Sequence, residues 1–143
     1  MPPMKWSRQA LRFIAIPFVV IPAALIVVRP AHWDAMRATG LVLTLVGFGL
    51  LTVARVQLGN SFSVTPQARA LVTTGVYRKI RNPVYVFSAI GIAGFVLYVG
   101  RPMWLLLLLA LLPMQVLRAQ AEGRMLEAVF GDAYRAWKRQ TWF

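Results

Sequence analysis

Four apolar runs, at residues 11–28, 38–58, 83–99 and 103–117, restrict this chain more than any other feature. They are nearly free of charge, and basic residues gather where they end. At ~1.5 Å of rise per residue, about 20 such residues cross the ~30 Å hydrocarbon core of a bilayer. With 59% hydrophobic residues in 143, the chain is too apolar for an ordinary soluble domain of its size. The pattern predicts an all-α polytopic membrane protein with four transmembrane helices, forming one domain over residues 1–143 without internal repeats.

Each run carries its own punctuation. The first contains Arg12, Pro17 and Pro22; the prolines predict kinks, which neighbouring helices and water can accommodate. Without a small-x-small cleavage site it reads as an uncleaved span rather than a signal peptide. In the second run Gly40, Gly47 and Gly49 with Thr44 offer small surfaces on which another helix can pack closely. Residues 59–82 hold Gly59, Asn60, Ser61, Ser63, Pro66 and Gly75, which predict an interfacial loop. Asn82 and Pro83 are placed as N-cap and N1 of the third helix. Gly100-Arg101-Pro102 predicts a tight turn that makes a hairpin of the third and fourth spans. In the tail, residues 118–143, Met125, Leu126, Val129, Phe130, Tyr134 and Trp137 recur at helical spacing opposite Arg124, Arg135, Lys138 and Arg139. Such an amphipathic helix is expected to lie on the membrane surface.

Charge then orients the spans. The net charge of +12 sits at the ends of the apolar runs and forms no stripe with interleaved aromatics, which argues for membrane topology and against nucleic acid. With four spans, thirteen Lys and Arg fall on the side of the N-terminus, the 59–82 loop and the tail, against Arg29, Arg37 and Arg101 on the other. By the positive-inside rule both termini and the loop are cytoplasmic. Contacts with membrane lipids follow, and the polar segments face cytosolic metabolites.

Several chemistries are excluded or weakened. The chain has no cysteine and a single histidine, His32, so disulfides and thiolate-bound metal are excluded, and a His-rich metal site or a Ser-His-Asp triad is not expected. No Asp or Glu lies within a span, which argues against a proton-coupled transporter.

What is left centres on two stretches. Glu122 follows the fourth apolar run and shares a helix face with Arg118, four residues earlier. That spacing makes a surface ion pair by itself; in a site, the carboxylate would accept from a ligand amine or hydroxyl while the guanidinium bound a carboxylate or phosphate. Asn82-Pro83 can be a plain helix start, or one whose free N–H groups receive an anion. Tyr77 and Tyr85 are either pocket-lining residues or interfacial anchors.

Two motifs join these stretches. LVTTGVYRKIRNPVY, from Leu71 to Tyr85, fits the pattern LVT-S/T-G-x-Y-x-x-x-R-H/N-P-x-Y, and Glu122, Leu126, Phe130, Gly131 and Tyr134 fit E-x-x-x-L-x-x-x-F-G-x-x-Y. In this order the chain resembles the isoprenylcysteine carboxyl methyltransferase and phospholipid methyltransferase superfamily, in its bacterial form. The resemblance implies an inner-membrane enzyme that uses S-adenosylmethionine without a Rossmann domain and methylates a lipophilic acceptor, whether carboxylate, thiol or lipid amine. It assigns cofactor binding to Arg69, Ala70, Leu71, Val72, Tyr77, Asn82, Pro83, Val84, Tyr85 and Glu122, and the approach to the methyl acceptor to Arg118. Attack in line on the methyl group needs no covalent intermediate, so the protein contributes positioning and exclusion of water. The chain departs from the pattern in having Asn82 where the prenylcysteine enzymes have His, and Glu122-Gly123 where a Glu-Glu pair is common. A non-enzymatic assembly subunit and a membrane reductase using NADPH stand as alternatives, and binding of S-adenosylmethionine or NADPH separates them.

Overall fold

Helix limits follow the local punctuation in the computed structural model, which describes residues 8–59 and 71–143. Arg69 and Ala70 of the expected site lie outside the described residues. The helices are α1 (Arg8–Val27), α2 (Ala35–Leu58), α3 (Pro83–Val99), α4 (Trp104–Phe130) and α5 (Asp132–Gln140), with a 3-10 turn at Gly75–Arg78 before α3. Among the described residues there is no strand, only an isolated parallel bridge between Ile80 and Trp142. The expected all-α architecture is therefore present in this part of the chain.

The turn residues act as their chemistry requires. Asp34 caps α2 by accepting from the Arg37 N–H at 2.8 Å. Pro83 opens α3, and Gly100 ends it in the left-handed conformation at φ 77°, where a residue without Cβ carries no steric penalty. Asn82 behaves differently from expectation: its side chain makes no cap hydrogen bond. Its backbone N–H instead donates to the Phe143 carbonyl at 2.8 Å.

The fourth apolar run is shorter than the helix that contains it. α4 continues past Leu117 to Phe130, because RAQAEGRMLEA contains no residue that stops a helix except a tolerated glycine. The edge of an apolar run is a solvent boundary, not a backbone one. The break comes at Gly131 (φ 51°), and Arg135 spans it, pairing with Glu127 on α4 and Asp132 on α5 at 2.9 Å each. By length and composition two described helices, α2 and α4, can cross a membrane, while Ala15–Val27 and Pro83–Val99 are shorter apolar helices.

Close packing joins α2 to α3. Gly40, Thr44, Gly47, Leu51 and Ala54 form the buried stripe of α2, facing Phe87, Gly91 and Gly94 of α3. A Cβ on Gly47 would collide with the Gly91 backbone, and one on Gly94 would stand 2.5 Å from Thr44 N. Small residues here allow the backbones to touch, as in membrane helix pairs generally. The Thr44 hydroxyl, fully buried, donates back to the Gly40 carbonyl at 2.7 Å, so the seam contains no orphan polar group at that point. Gly49 has nothing near it and is no part of the seam.

The tail packs onto the core through two aromatic residues. Tyr134 (2% exposed) and Trp137 are buried in one cluster with Leu51, Ala54, Tyr77 and Phe87. The apolar face of α5 is thus spent on the protein itself, and Trp137 donates its indole N–H to the Tyr77 carbonyl at 2.8 Å. Met125, Val129 and Trp142 remain exposed.

Candidate functional site

The first turn of α3 and the lower half of α4 meet at one hydrogen bond. Tyr85 donates from its hydroxyl to Glu122 Oε1 at 2.6 Å, within the short range of bonds to an ionised acceptor. Arg118, one turn earlier on α4, places Nε 3.7 Å from the same oxygen. That distance is an ion-pair contact but too long for a hydrogen bond, so the tyrosine holds the carboxylate and the arginine only balances its charge. Both partners are partly open, at 41% and 27% side-chain exposure for Arg118 and Glu122, which leaves the pair little direct weight in stability. Access to solvent instead leaves it available to a ligand.

Tyr77 completes the polar group from the 3-10 turn. The turn is fixed on three sides: Gln57 of α2 accepts from the Val76 N–H at 2.8 Å, Trp137 binds the Tyr77 carbonyl, and the Tyr77 ring is buried in the core cluster. Its hydroxyl is buried without a hydrogen-bond partner among the described residues. Burial pushes the phenol well above the ordinary tyrosine range, the negative charge of Glu122 adds to this, and Arg55 of α2 opposes it. Arg55, Tyr77 and Glu122 therefore share one electrostatic neighbourhood. A buried phenol that needs an acceptor is an expensive feature in a purely structural pocket.

From Tyr85 an apolar cleft runs between α3 and α4, with a volume of about 450 Å³. Its walls include Ile90 and Val96 on α3 and Leu108 and Leu112 on α4, with Trp104 at the far end and Gln115 and Phe143 near Tyr85. The eleven residue steps from Tyr85 to Val96 give it a length of roughly 16 Å at the helical rise, about one leaflet of a bilayer. The apolar slot thus has the Tyr85 phenol in its wall, and through it adjoins the Glu122 carboxylate and its ion-pair partner Arg118.

The expected site residues divide accordingly. Tyr77, Tyr85, Arg118 and Glu122 come together, although the two tyrosines are 33 to 45 residues from the α4 pair. Neither is an exposed anchor. Leu71, Val72 and Val84 pack against the core cluster, and Pro83 is fully buried. Asn82 lies beside the tail, where Trp142 N–H donates to Lys79 O at 3.0 Å and Arg81 N–H to Trp142 O at 3.1 Å. Arg55, Gln57, Gln115 and Phe143 carry no local signal in the sequence; a basic residue at a helix end reads as topology, and a terminal aromatic as an anchor. Gly123 also finds its reason here, because a Cβ at this position would come within 2.7 Å of the buried Tyr134 hydroxyl. A Glu-Glu pair does not fit this backbone unless Tyr134 moves.

Comparison with known families agrees with the geometry. A family model described as phospholipid methyltransferase matches residues 33–133, well over half of the chain and including α2, α3 and the Tyr85–Glu122 contact. No curated protein matches the chain.

Proposed function

The chain belongs to the phospholipid methyltransferase family, and we propose that it moves the methyl group of S-adenosylmethionine to a lipid amine, thiol or carboxylate at the cytosolic surface of a membrane. Membership makes it a membrane methyltransferase with lipid substrates; the donor, the site residues and the orientation are the proposal. The observation that carries it is the Tyr85–Glu122 hydrogen bond at the end of the α3–α4 cleft.

The residues present suit the cofactor. Tyr77 offers a buried hydroxyl that lacks an acceptor among the described residues, and Glu122 offers a carboxylate whose second oxygen can accept from an amine or hydroxyl. S-adenosylmethionine, when bound, supplies an electrophilic methyl group on a sulfonium. Tyr85 holds Glu122 in place. The apolar cleft takes the acceptor's chain laterally from the bilayer, which keeps water away from the reacting end. Arg118, in ion-pair range of the Glu122 carboxylate, can orient a phosphate or carboxylate of the acceptor. Asn82, Pro83 and Val84 shape the backbone that presents Tyr85, while Leu71 and Val72 secure the approach from the core side. Arg69 and Ala70 complete the set by family resemblance alone.

In this reading Tyr77 and the first turn of α3 mark the end of the bundle where the site lies, with Arg118 and Glu122 just beyond the apolar part of α4. In the proposed topology α1, α2, α3 and the first part of α4 cross the membrane, as one domain over residues 1–143. The thirteen-to-three division of basic residues sets this end and both termini in the cytoplasm. Leu106, Leu109, Met114 and Leu117, all exposed on α4, would then face lipid, as would the outer face of α1.

Calorimetry on the detergent-purified chain tests this directly. S-adenosylmethionine is expected to bind the wild type and NADPH to give no heat, with binding weakened by about 100-fold or more in Glu122→Ala while its melting curve is unchanged. Binding of NADPH alone would replace the methyltransferase reading with a reductase.

A further inference from the structure

The cleft has one wall that belongs to neither of its helices. Phe143 lines it beside Tyr85, although it follows α5 in sequence and reaches the cleft through an extended segment. That segment is held by three backbone hydrogen bonds: Trp142 N–H to Lys79 O at 3.0 Å, Arg81 N–H to Trp142 O at 3.1 Å and Asn82 N–H to Phe143 O at 2.8 Å. It forms the parallel bridge of Ile80 with Trp142.

This arrangement is more than a tied-down tail. The N–H of Asn82, which donates to the Phe143 carbonyl, lies immediately before α3 and three residues from Tyr85, less than one helical turn. Phe143 is absent from the core cluster formed by Tyr77, Phe87, Tyr134 and Trp137. Phe143 is 36% exposed, so the cleft leaves it open on one side. Its neighbours in the cleft, Tyr85 and Gln115, stand where apolar walls give way to the polar group of Glu122 and Arg118.

We infer that Phe143 is a specificity-determining residue: its ring, held by the tail bridge against the Tyr85 end of the cleft, limits the bulk an acceptor can carry next to its reacting group. This rests on the reading of the cleft as the acceptor site. The ring contributes bulk and no chemistry, so enlarging or removing it changes which acceptor fits without touching the cofactor. One methylene in an apolar pocket discriminates by roughly 10- to 200-fold, and the loss of a phenyl ring frees more room than that.

The probes for the test are lysophosphatidylethanolamine and its N-methyl and N,N-dimethyl forms, bound at equilibrium to the detergent-purified full chain. Phe143→Ala is expected to raise the affinity of the dimethyl probe relative to the primary amine by about tenfold, and Phe143→Trp to lower that ratio by a similar factor. S-adenosylmethionine should bind both variants within about twofold of wild type. An unchanged ratio in both variants overturns the inference, as does a wild type that binds none of the three probes. A wild type that binds probe and cofactor but transfers no methyl group would sink the proposed reaction, while the binding ratio would still decide the role of Phe143.

Discussion

The two faces of α3 are built on opposite plans. Towards α2 it presents Gly91 and Gly94, and the backbones meet so closely that no Cβ fits between Gly47 and Gly91. Towards α4 it leaves an open slot of about 450 Å³. Glycine pairs allow close approach at a seam that carries no chemistry, whereas larger apolar side chains on the other face hold α4 away and leave room for a ligand. α2 and α3 therefore form a closely packed pair and α4 stands off across the cleft, with Tyr85–Glu122 as the polar clasp between these two halves.

The largest effect is expected where the seam is forced apart. Gly47→Leu drives a side chain into the Gly91 backbone and should cost about 3 kcal/mol or more, at the upper end of overpacking. Gly49→Leu, on the open face of the same helix, should leave the unfolding midpoint unchanged. Denaturant unfolding followed by tryptophan fluorescence measures both, and equal losses would erase the distinction between seam and open face.

On the other wall, Arg118→Ala should lower turnover by about 100-fold, equivalent to ~2.7 kcal/mol, with cofactor affinity retained. Initial rates beside calorimetry would show the split; a parallel loss of binding would move Arg118 into the cofactor pocket. A smaller effect comes from the phenol that links the halves. Tyr77 has its pKa raised by burial, so the folded state holds its proton more tightly than the unfolded chain. Stability from this group is complete below the ordinary tyrosine value of about 10 and falls as pH rises beyond it. Tyr77→Phe should flatten that alkaline decline, and an identical pH profile would mean that the phenol is not buried in solution.

How much of this was legible depended on whether the signal was local. Pro83 and Gly100 bound α3 at the residues the sequence marks, because both act through their own backbone. α4 runs on past Leu117, where the fourth apolar run ends, because a membrane boundary changes side-chain polarity without interrupting backbone hydrogen bonds. Gly49 could have been set apart from Gly40 and Gly47: nine residues from Gly40 it points to the opposite side of a helix, while Thr44 and Gly47 keep to one face. In the tail, Tyr134 and Trp137 have the right spacing for any apolar partner, and spacing does not say whether that partner is lipid or protein. Tyr85 and Glu122 were associated only through family resemblance, since nothing in either segment encodes a contact across 37 residues.

A double-mutant cycle on S-adenosylmethionine binding tests the clasp most directly. Affinity is measured by calorimetry for wild type, Tyr85→Phe, Glu122→Gln and the double variant. Each single change is expected to weaken binding by about tenfold, since a hydrogen bond to a charged group is worth ~1.5–3 kcal/mol, and the double variant should bind no worse than the weaker single one. Losses that simply multiply, or wild-type affinity in all four proteins, would contradict the claim that the two helices hold the cofactor through this contact.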